Sequence, residues 1–166
     1  MQKLELDVLP QRLWQRLQEG RGPWRTPVLA TASDHGGDAR TVVVREVDIA
    51  RRRVVFFTNR DSRKQEQLAT GREACLLVFD AAAGMQWRLY GEPLEIREAE
   101  SLDEFWQTLA AAQRSHYGKG EAGRANFAAW AIVAERFHVL LLNERGNAAA
   151  EFAWQDGRWH GRPVPA

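Results

Sequence analysis

Two apolar, β-branched runs, separated by a polar turn and closed by a helix start, constrain the fold of this 166-residue chain more than anything else in it. Arg40 and Arg45 bracket Thr41-Val42-Val43-Val44, and Val54-Val55-Phe56-Phe57-Thr58 follows the polar stretch from Asp48 to Arg53. β-branched and aromatic side chains pack well on a pleated surface, so both runs are expected as strands joined by a hairpin. Behind them, in Asn59-Arg60-Asp61-Ser62-Arg63-Lys64, either Asp61 or Ser62 can cap a helix through Gln65, Leu68 and Ala69 to Gly71.

Charge singles out the same stretch. Residues 40–64 hold eight Lys/Arg against three acids, whereas the rest of the chain holds fifteen against nineteen. For Arg51, Arg52 and Arg53 a solvated turn is the simpler account. Arg63 and Lys64 fall in the first turn of the expected helix, where cations oppose the dipole, and there a bound phosphate explains them better.

The remaining elements follow in chain order. Leu9, Leu13 and Leu17 make a stripe at helical spacing, with Pro10 near its start and Gly20 after its end. Pro27–Ser33 is expected as a strand, residues 34–38 as a Gly-rich hairpin loop, and 74–79 as a core strand containing Cys75. Met85–Glu98 is a long strand in which Pro93 calls for a bulge or an edge position. Ser101-Leu102-Asp103-Glu104 has the form of a capping box ahead of a helix carrying Leu102, Phe105, Trp106 and Leu109. A polar Gly-rich loop over 118–124, a short helix over 125–134, a strand over 137–142 and a terminal hairpin complete the reading. Many strands with short turns and few helices imply a mainly β fold, an antiparallel Greek-key barrel with flanking helices, in one domain spanning residues 1–166.

The sequence ARTVVVR, then FFTN, then SRK, then Gln86-Trp87-Arg88-Leu89-Tyr90-Gly91, resembles the pyridoxamine 5′-phosphate oxidase family of FMN-binding split barrels. That family shows an R-x-V-L-L-K strand, a Y-T-N strand end, an S-R-K turn and a Q-x-R-x-x-G strand in this order. The resemblance implies FMN as cofactor and a homodimer with the flavin at the two-fold interface. It implies that Arg63 and Lys64 grip the phosphate with Arg40 alongside, and that Thr58 and Ser62 add hydroxyl hydrogen bonds. Val42, Val43 and Arg45 would lie along the isoalloxazine edge, with Phe57 in the family's tyrosine position. Gln86 would reach the ring system or ribityl chain, and Gln113, Ser115 and Leu141 are candidates for the partner subunit's contribution. For Arg45 the alternative is a salt bridge to Glu46 or Glu92; for Gln86 it is an ordinary strand position. The oxidases carry an R-x-H-x-R cluster where this chain has Asn147-Ala148-Ala149-Ala150-Glu151. The chain therefore resembles the uncharacterised FMN-binding relatives more than the oxidase itself, with an unidentified small molecule as substrate.

Composition excludes several other classes. Twenty-three Lys/Arg against 22 Asp/Glu leave a net charge of +1, which argues against a generic nucleic-acid binder. Apolar stretches are too short to span a membrane, the N-terminus lacks a secretory h-region, and the lone Cys75 fits a reducing cytoplasm as the expected compartment. A protein that holds FMN or haem without turnover is the alternative to a flavin-dependent oxidoreductase. The four histidines, however, show no spacing that selects a haem ligand, and no metal site is expected. Seven tryptophans exceed what one small core readily absorbs and point to an interface.

Overall fold

The computed structural model describes residues 5–144 and 146–166. In chain order the elements are α1 (Leu9–Glu19), a 3-10 turn (Gly22–Trp24), β1 (Val28–Ser33), β2 (Gly36–Thr41), β3 (Val44–Asp48), β4 (Arg53–Asn59) and α2 (Arg63–Ala69). They continue with β5 (Ala74–Asp80), β6 (Met85–Ile96), α3 (Ala99–Thr108), α4 (Ala111–Arg114), α5 (Gly120–Asn126), β7 (Phe127–Leu141), β8 (Ala148–Gln155) and β9 (Arg158–Val164). All strand pairings are antiparallel, in the order β2-β1-β5-β6-β7-β4-β3, with β8 on β7 and β9 on β8. The expected antiparallel barrel with flanking helices is the fold. Among the described residues no helix is long and apolar enough to cross a membrane.

Strand β7 is the spine. One edge pairs along β6 from Met85↔Leu141 to Ile96↔Ala129. The other edge is shared: Phe127–Val133 pairs with β4, and Arg136–Leu141 with β8. The sheet curls until the β2–β3 corner bonds back to the segment ahead of β1, with the N–H of Val42 on Pro27 O (3.0 Å) and that of Val44 on Arg25 O (2.9 Å).

Alternation along the strands sends Leu29, Val54, Phe56, Leu76, Val78, Trp87, Leu89, Phe137 and Val139 inward. Leu13, Trp14 and Leu17 of α1 pack into the same core, because Pro10 starts that helix and Gly20, at φ 59°, ends it with its N–H on Arg16 O. Each such large side chain contributes roughly 1.5–3 kcal/mol through burial. A second apolar cluster covers the other face of β4 and β7, where Val55, Phe127, Ala129 and Ala131 meet Leu102 and Leu109, with Phe57, Phe105, Trp106 and Tyr117 packed against them.

Several expectations change. The strand expected between Arg40 and Arg45 is split at Val42-Val43, where the chain turns the barrel's corner. Residues 127–134 belong to β7 rather than to a short helix: alanines at 128, 129, 131 and 134 favour a helix locally, but burial on both faces of the sheet decides. The helix behind β6 starts at Ala99 with Glu98 as N-cap, so Ser101–Glu104 is not a capping box. Residues 120–126 form α5 instead of a loop. Pro93 lies in the half of β6 that has β7 on one side and no β5 on the other, and the register shift falls at Tyr90/Gly91. Trp14, Trp24, Trp87 and Trp130 are buried inside the chain, so the core absorbs four of the seven tryptophans that pointed to an interface.

Candidate functional site: a cationic cradle where β4 meets α2

Strand β4 ends at Asn59, and the tight turn behind it positions three of the expected residues together. Lys64 Nζ donates to Thr58 Oγ1 (2.7 Å), and Thr58 Oγ1 lies 3.0 Å from Ser62 Oγ. Ser62 donates its own proton to Asn59 O (2.8 Å), so the Thr58 hydroxyl donates to Ser62. Ser62 occupies the N-cap position of α2, but its hydroxyl bonds backwards rather than capping the helix. The seven-residue α2 is held down by Leu68 in the core and by Gln65 Oε1, which accepts from Trp130 Nε1 (2.7 Å). Thr58 is buried, so its hydroxyl is held by Lys64 and Ser62 rather than by solvent.

Arg40 approaches from β2. Its guanidinium donates to Thr31 Oγ1 and Gln67 Oε1, both at 2.6 Å, and pairs with Asp38 at 2.6 Å. Gln67 Nε2 also donates to Asp38 (3.1 Å), and these contacts hold the Asp38 carboxyl below its usual range, the Gln67 bond contributing most and Arg40 next. Lys64 titrates below an ordinary lysine, first because burial disfavours its charged form and second because Arg40 stands nearby. No carboxylate pairs with Lys64 or with the exposed Arg63 among the described residues. A half-buried ammonium bonded to a hydroxyl, with Arg40 near it, is chemistry that an anionic oxygen would complement.

Thr31, Asp38 and Gln67 were not anticipated. The available signal was parity: Thr31 is the inward-facing polar residue of β1, and Gln67 is a buried amide on a short helix.

Arg45 lies on the other side of the β3 strand start. Its guanidinium sits 5.4 Å from the Phe57 ring centre, its charge acts on Tyr117, and its enclosed Nε has no hydrogen-bond partner among the described residues. Neither Glu46 nor Glu92 pairs with it among the described residues. At the corner between the two arginines, the Val43 N–H has no backbone acceptor among the described residues, whereas those of Val42 and Val44 do. A polar edge laid along 42–45 therefore finds a free backbone donor and an unsatisfied guanidinium, which suits the rim of a flat heteroaromatic ring.

Gln86 stands apart. Thr58 lies opposite Ala128 and Gln86 opposite Leu140, twelve residues along β7, a contour of about 40 Å. Gln86 also alternates with the inward-facing Trp87 and Leu89, so it lies on the outer face. One chain does not bring it to its own cradle. Gln113 Oε1 accepts from the Ala110 N–H and Ser115 donates to Ala112 O, both local bonds, and Leu141 packs against the core. Where the oxidases have cations, Ala149 and Ala150 are buried and Glu151 pairs with Arg162 (2.9 Å).

The family model for pyridoxamine 5′-phosphate oxidase matches residues 16–140. A pyridoxine/pyridoxamine 5′-phosphate oxidase of Granulibacter bethesdensis is 43% identical over 79 residues, 44% of this chain and 37% of the relative. One of Burkholderia lata is 37% identical over 90 residues, covering 54% and 41%. The matched stretch thus spans less than half the length of these curated relatives. Among solved structures, a pyridoxamine 5′-phosphate oxidase-related, FMN binding protein of Nostoc punctiforme superposes with a TM-score of 0.76 at 18% identity, over 100% of both chains. PhzG of Burkholderia lata, solved with tetrahydrophenazine-1-carboxylic acid, gives 0.75 at 20% identity, over 99% of this chain and 94% of that one. The structural likeness carries the split-barrel fold, and the sequence match carries the kinship: the chain belongs to the pyridoxamine 5′-phosphate oxidase family.

Proposed function

We propose that the chain is a flavoprotein that binds FMN and uses it as an oxidoreductase on a small molecule. The observation that carries this reading is the cradle itself: Thr58 bonded to both Lys64 and Ser62, Arg40 near Lys64, Arg63 beside it in the chain, and no carboxylate paired with Lys64 among the described residues. A phosphate ester there would accept from the ammonium, the guanidinium of Arg63 and the hydroxyls. The Val43 N–H and Arg45 would face the ring edge, where a donor stabilises a reduced, anionic flavin. When bound, FMN supplies the electron-transfer chemistry; the chain orients it and tunes it.

We further propose a homodimer that closes the pocket. Gln86, far from its own cradle, can serve only a flavin held by the partner. Oxidation of pyridoxamine 5′-phosphate is not the activity proposed. A phosphorylated substrate would meet Glu151 and a run of alanines where the oxidases place arginine and histidine.

Purified protein with a flavin absorption spectrum, reduced anaerobically by NAD(P)H or by a candidate substrate, supports the reading. Bound flavin that no donor reduces argues for a binding role without turnover, a Soret band argues for haem, and a colourless protein that takes up no added FMN removes the proposal. Sedimentation tests the assembly, since a monomer with tight FMN contradicts a shared pocket.

A further inference from the structure

Among the described residues, Arg40 is the one cation of the cradle that already carries a carboxylate. Its Nη2 donates to Gln67 Oε1 and to Asp38 Oδ2, both at 2.6 Å, and its Nη1 donates to Thr31 Oγ1 at 2.6 Å. Both bidentate edges of this guanidinium include Nη2, whose two protons already have two acceptors. A phosphate that grips Arg40 in fork geometry must therefore displace Gln67 or Asp38. Gln67 is only 7% exposed, and its Oε1 also accepts from Thr31 Oγ1 (2.7 Å), so it is anchored from two sides. The Asp38 side chain is 41% exposed and can turn into water. Asp38 is the partner that yields. Asp61 and Glu66, the acids of the neighbouring turn and helix, are exposed and pair with no cation among the described residues.

We propose that Asp38 is an internal competitor for Arg40: a carboxylate that the phosphate ester must displace, and that thereby sets how tightly the cradle binds its ligand. The inference rests on the flavin reading and goes beyond it, because it turns on an acid rather than on the cations. Two effects act in one direction. Asp38 occupies a proton of the fork, and its charge repels an incoming dianion. Arg40, Arg63 and Lys64 supply three positive groups and Asp38 removes one, leaving two for a phosphate monoester that carries about −1.5 to −2 at pH 7. The Gln67 bond first, and Arg40 next, hold the Asp38 carboxyl below its usual range, so it is ionised throughout the neutral range and competes at every ordinary pH. Thr31 and Gln67 keep Arg40 aimed once Asp38 lets go.

Titration of the full chain against FMN fluorescence, at low and at high salt, tests it. Asp38→Asn keeps an oxygen that can accept from Gln67 and removes the charge. It should bind FMN more tightly than the parent, by roughly threefold or more at low ionic strength, with the gain shrinking as salt screens the charge. Riboflavin, which lacks the phosphate, should bind both chains equally. Asp38→Glu, which restores the carboxylate, should bring FMN affinity back toward the parent's. The proposal is overturned by equal or weaker FMN binding in Asp38→Asn, by an equal gain for riboflavin, or by a gain that Asp38→Glu shares. Weaker binding would make Asp38 a support for Arg40 instead of its competitor. An unchanged Asp38→Asn beside a weakened Lys64→Met overturns this inference alone, whereas a parent chain and variants that take up no FMN overturn it together with the flavin reading.

Discussion

Lys64→Met separates a binding cation from a structural one. In the protein without ligand, Lys64 is partly enclosed, lies near Arg40, and makes one hydrogen bond, to Thr58. Methionine keeps the stem's apolar contacts and removes a charge that burial and Arg40 both disfavour. The lost hydrogen bond is worth about 0.5–1.5 kcal/mol net. That loss is offset because Thr58 keeps Ser62 as a partner and the charge penalty disappears. The melting temperature of the ligand-free variant is therefore expected to stay within a few degrees of the parent or to rise. FMN affinity moves the other way. A charge-assisted hydrogen bond to a phosphate contributes about 1.5–3 kcal/mol, which at 1.4 kcal/mol per decade is roughly a 10- to 150-fold weaker dissociation constant. Fluorescence quenching of free FMN on titration with protein measures the affinity, and differential scanning calorimetry the stability. A variant that melts well below the parent and binds FMN unchanged would show that Lys64 is a strut and that the phosphate sits elsewhere.

Other tests follow from particular residues. The lowered pKa of Lys64 means that its charge, and with it FMN affinity, is fully present below that pKa and is lost as pH rises through it. The decline should begin at lower pH than an ordinary lysine would give, and Lys64→Arg should abolish it in the same titration. Cys75 is pushed up to about 11, chiefly by burial. At pH 8 about one thiol in a thousand is then ionised, against about a quarter for an ordinary cysteine, so iodoacetamide should label it some two orders of magnitude more slowly than a free thiol. At Gly91, beside the β6 register shift, an added Cβ would run into the Val133 carbonyl. Gly91→Ala should therefore cost about 1–3 kcal/mol in urea denaturation, and an unchanged midpoint would contradict that close approach.

Local chemistry made much of the barrel legible. The Val54–Thr58 run, the Ser62 turn, the α1 stripe with its proline start and glycine stop, and the 74–79 strand all appear within a residue or two of expectation. So does the Thr58, Ser62 and Lys64 constellation, because one turn carries all three. What was illegible depends on partners distant in sequence. The corner at Val42-Val43 exists because Pro27 and Arg25 offer carbonyls there. The alanines of β7 become strand because β4 and β6 enclose them. Arg40 carries the family signature, but Asp38, Thr31 and Gln67, which aim it, are joined only after β1, β2 and α2 dock. Gln86 differs: its motif is intact, and strand register sets it twelve residues along β7 from the position of Thr58 in the same chain.

Strand β7 has a consequence for how errors in this fold are corrected. Its pairing is read three times, by β4 over its first half, by β8 over its second and by β6 along nearly its whole length. A slip of one residue would turn Trp130, Ile132 and Phe137 out of the core while misaligning three neighbours at once, so no partial mispairing can satisfy one neighbour without frustrating the others. Insertions should thus be tolerated in the turns around 81–84 and 156–157 and rejected throughout 127–141. The same redundancy keeps the two ends of the molecule in step: wherever β7 settles, the cradle strand β4 on its first half and β8 of the terminal hairpin on its second are set together.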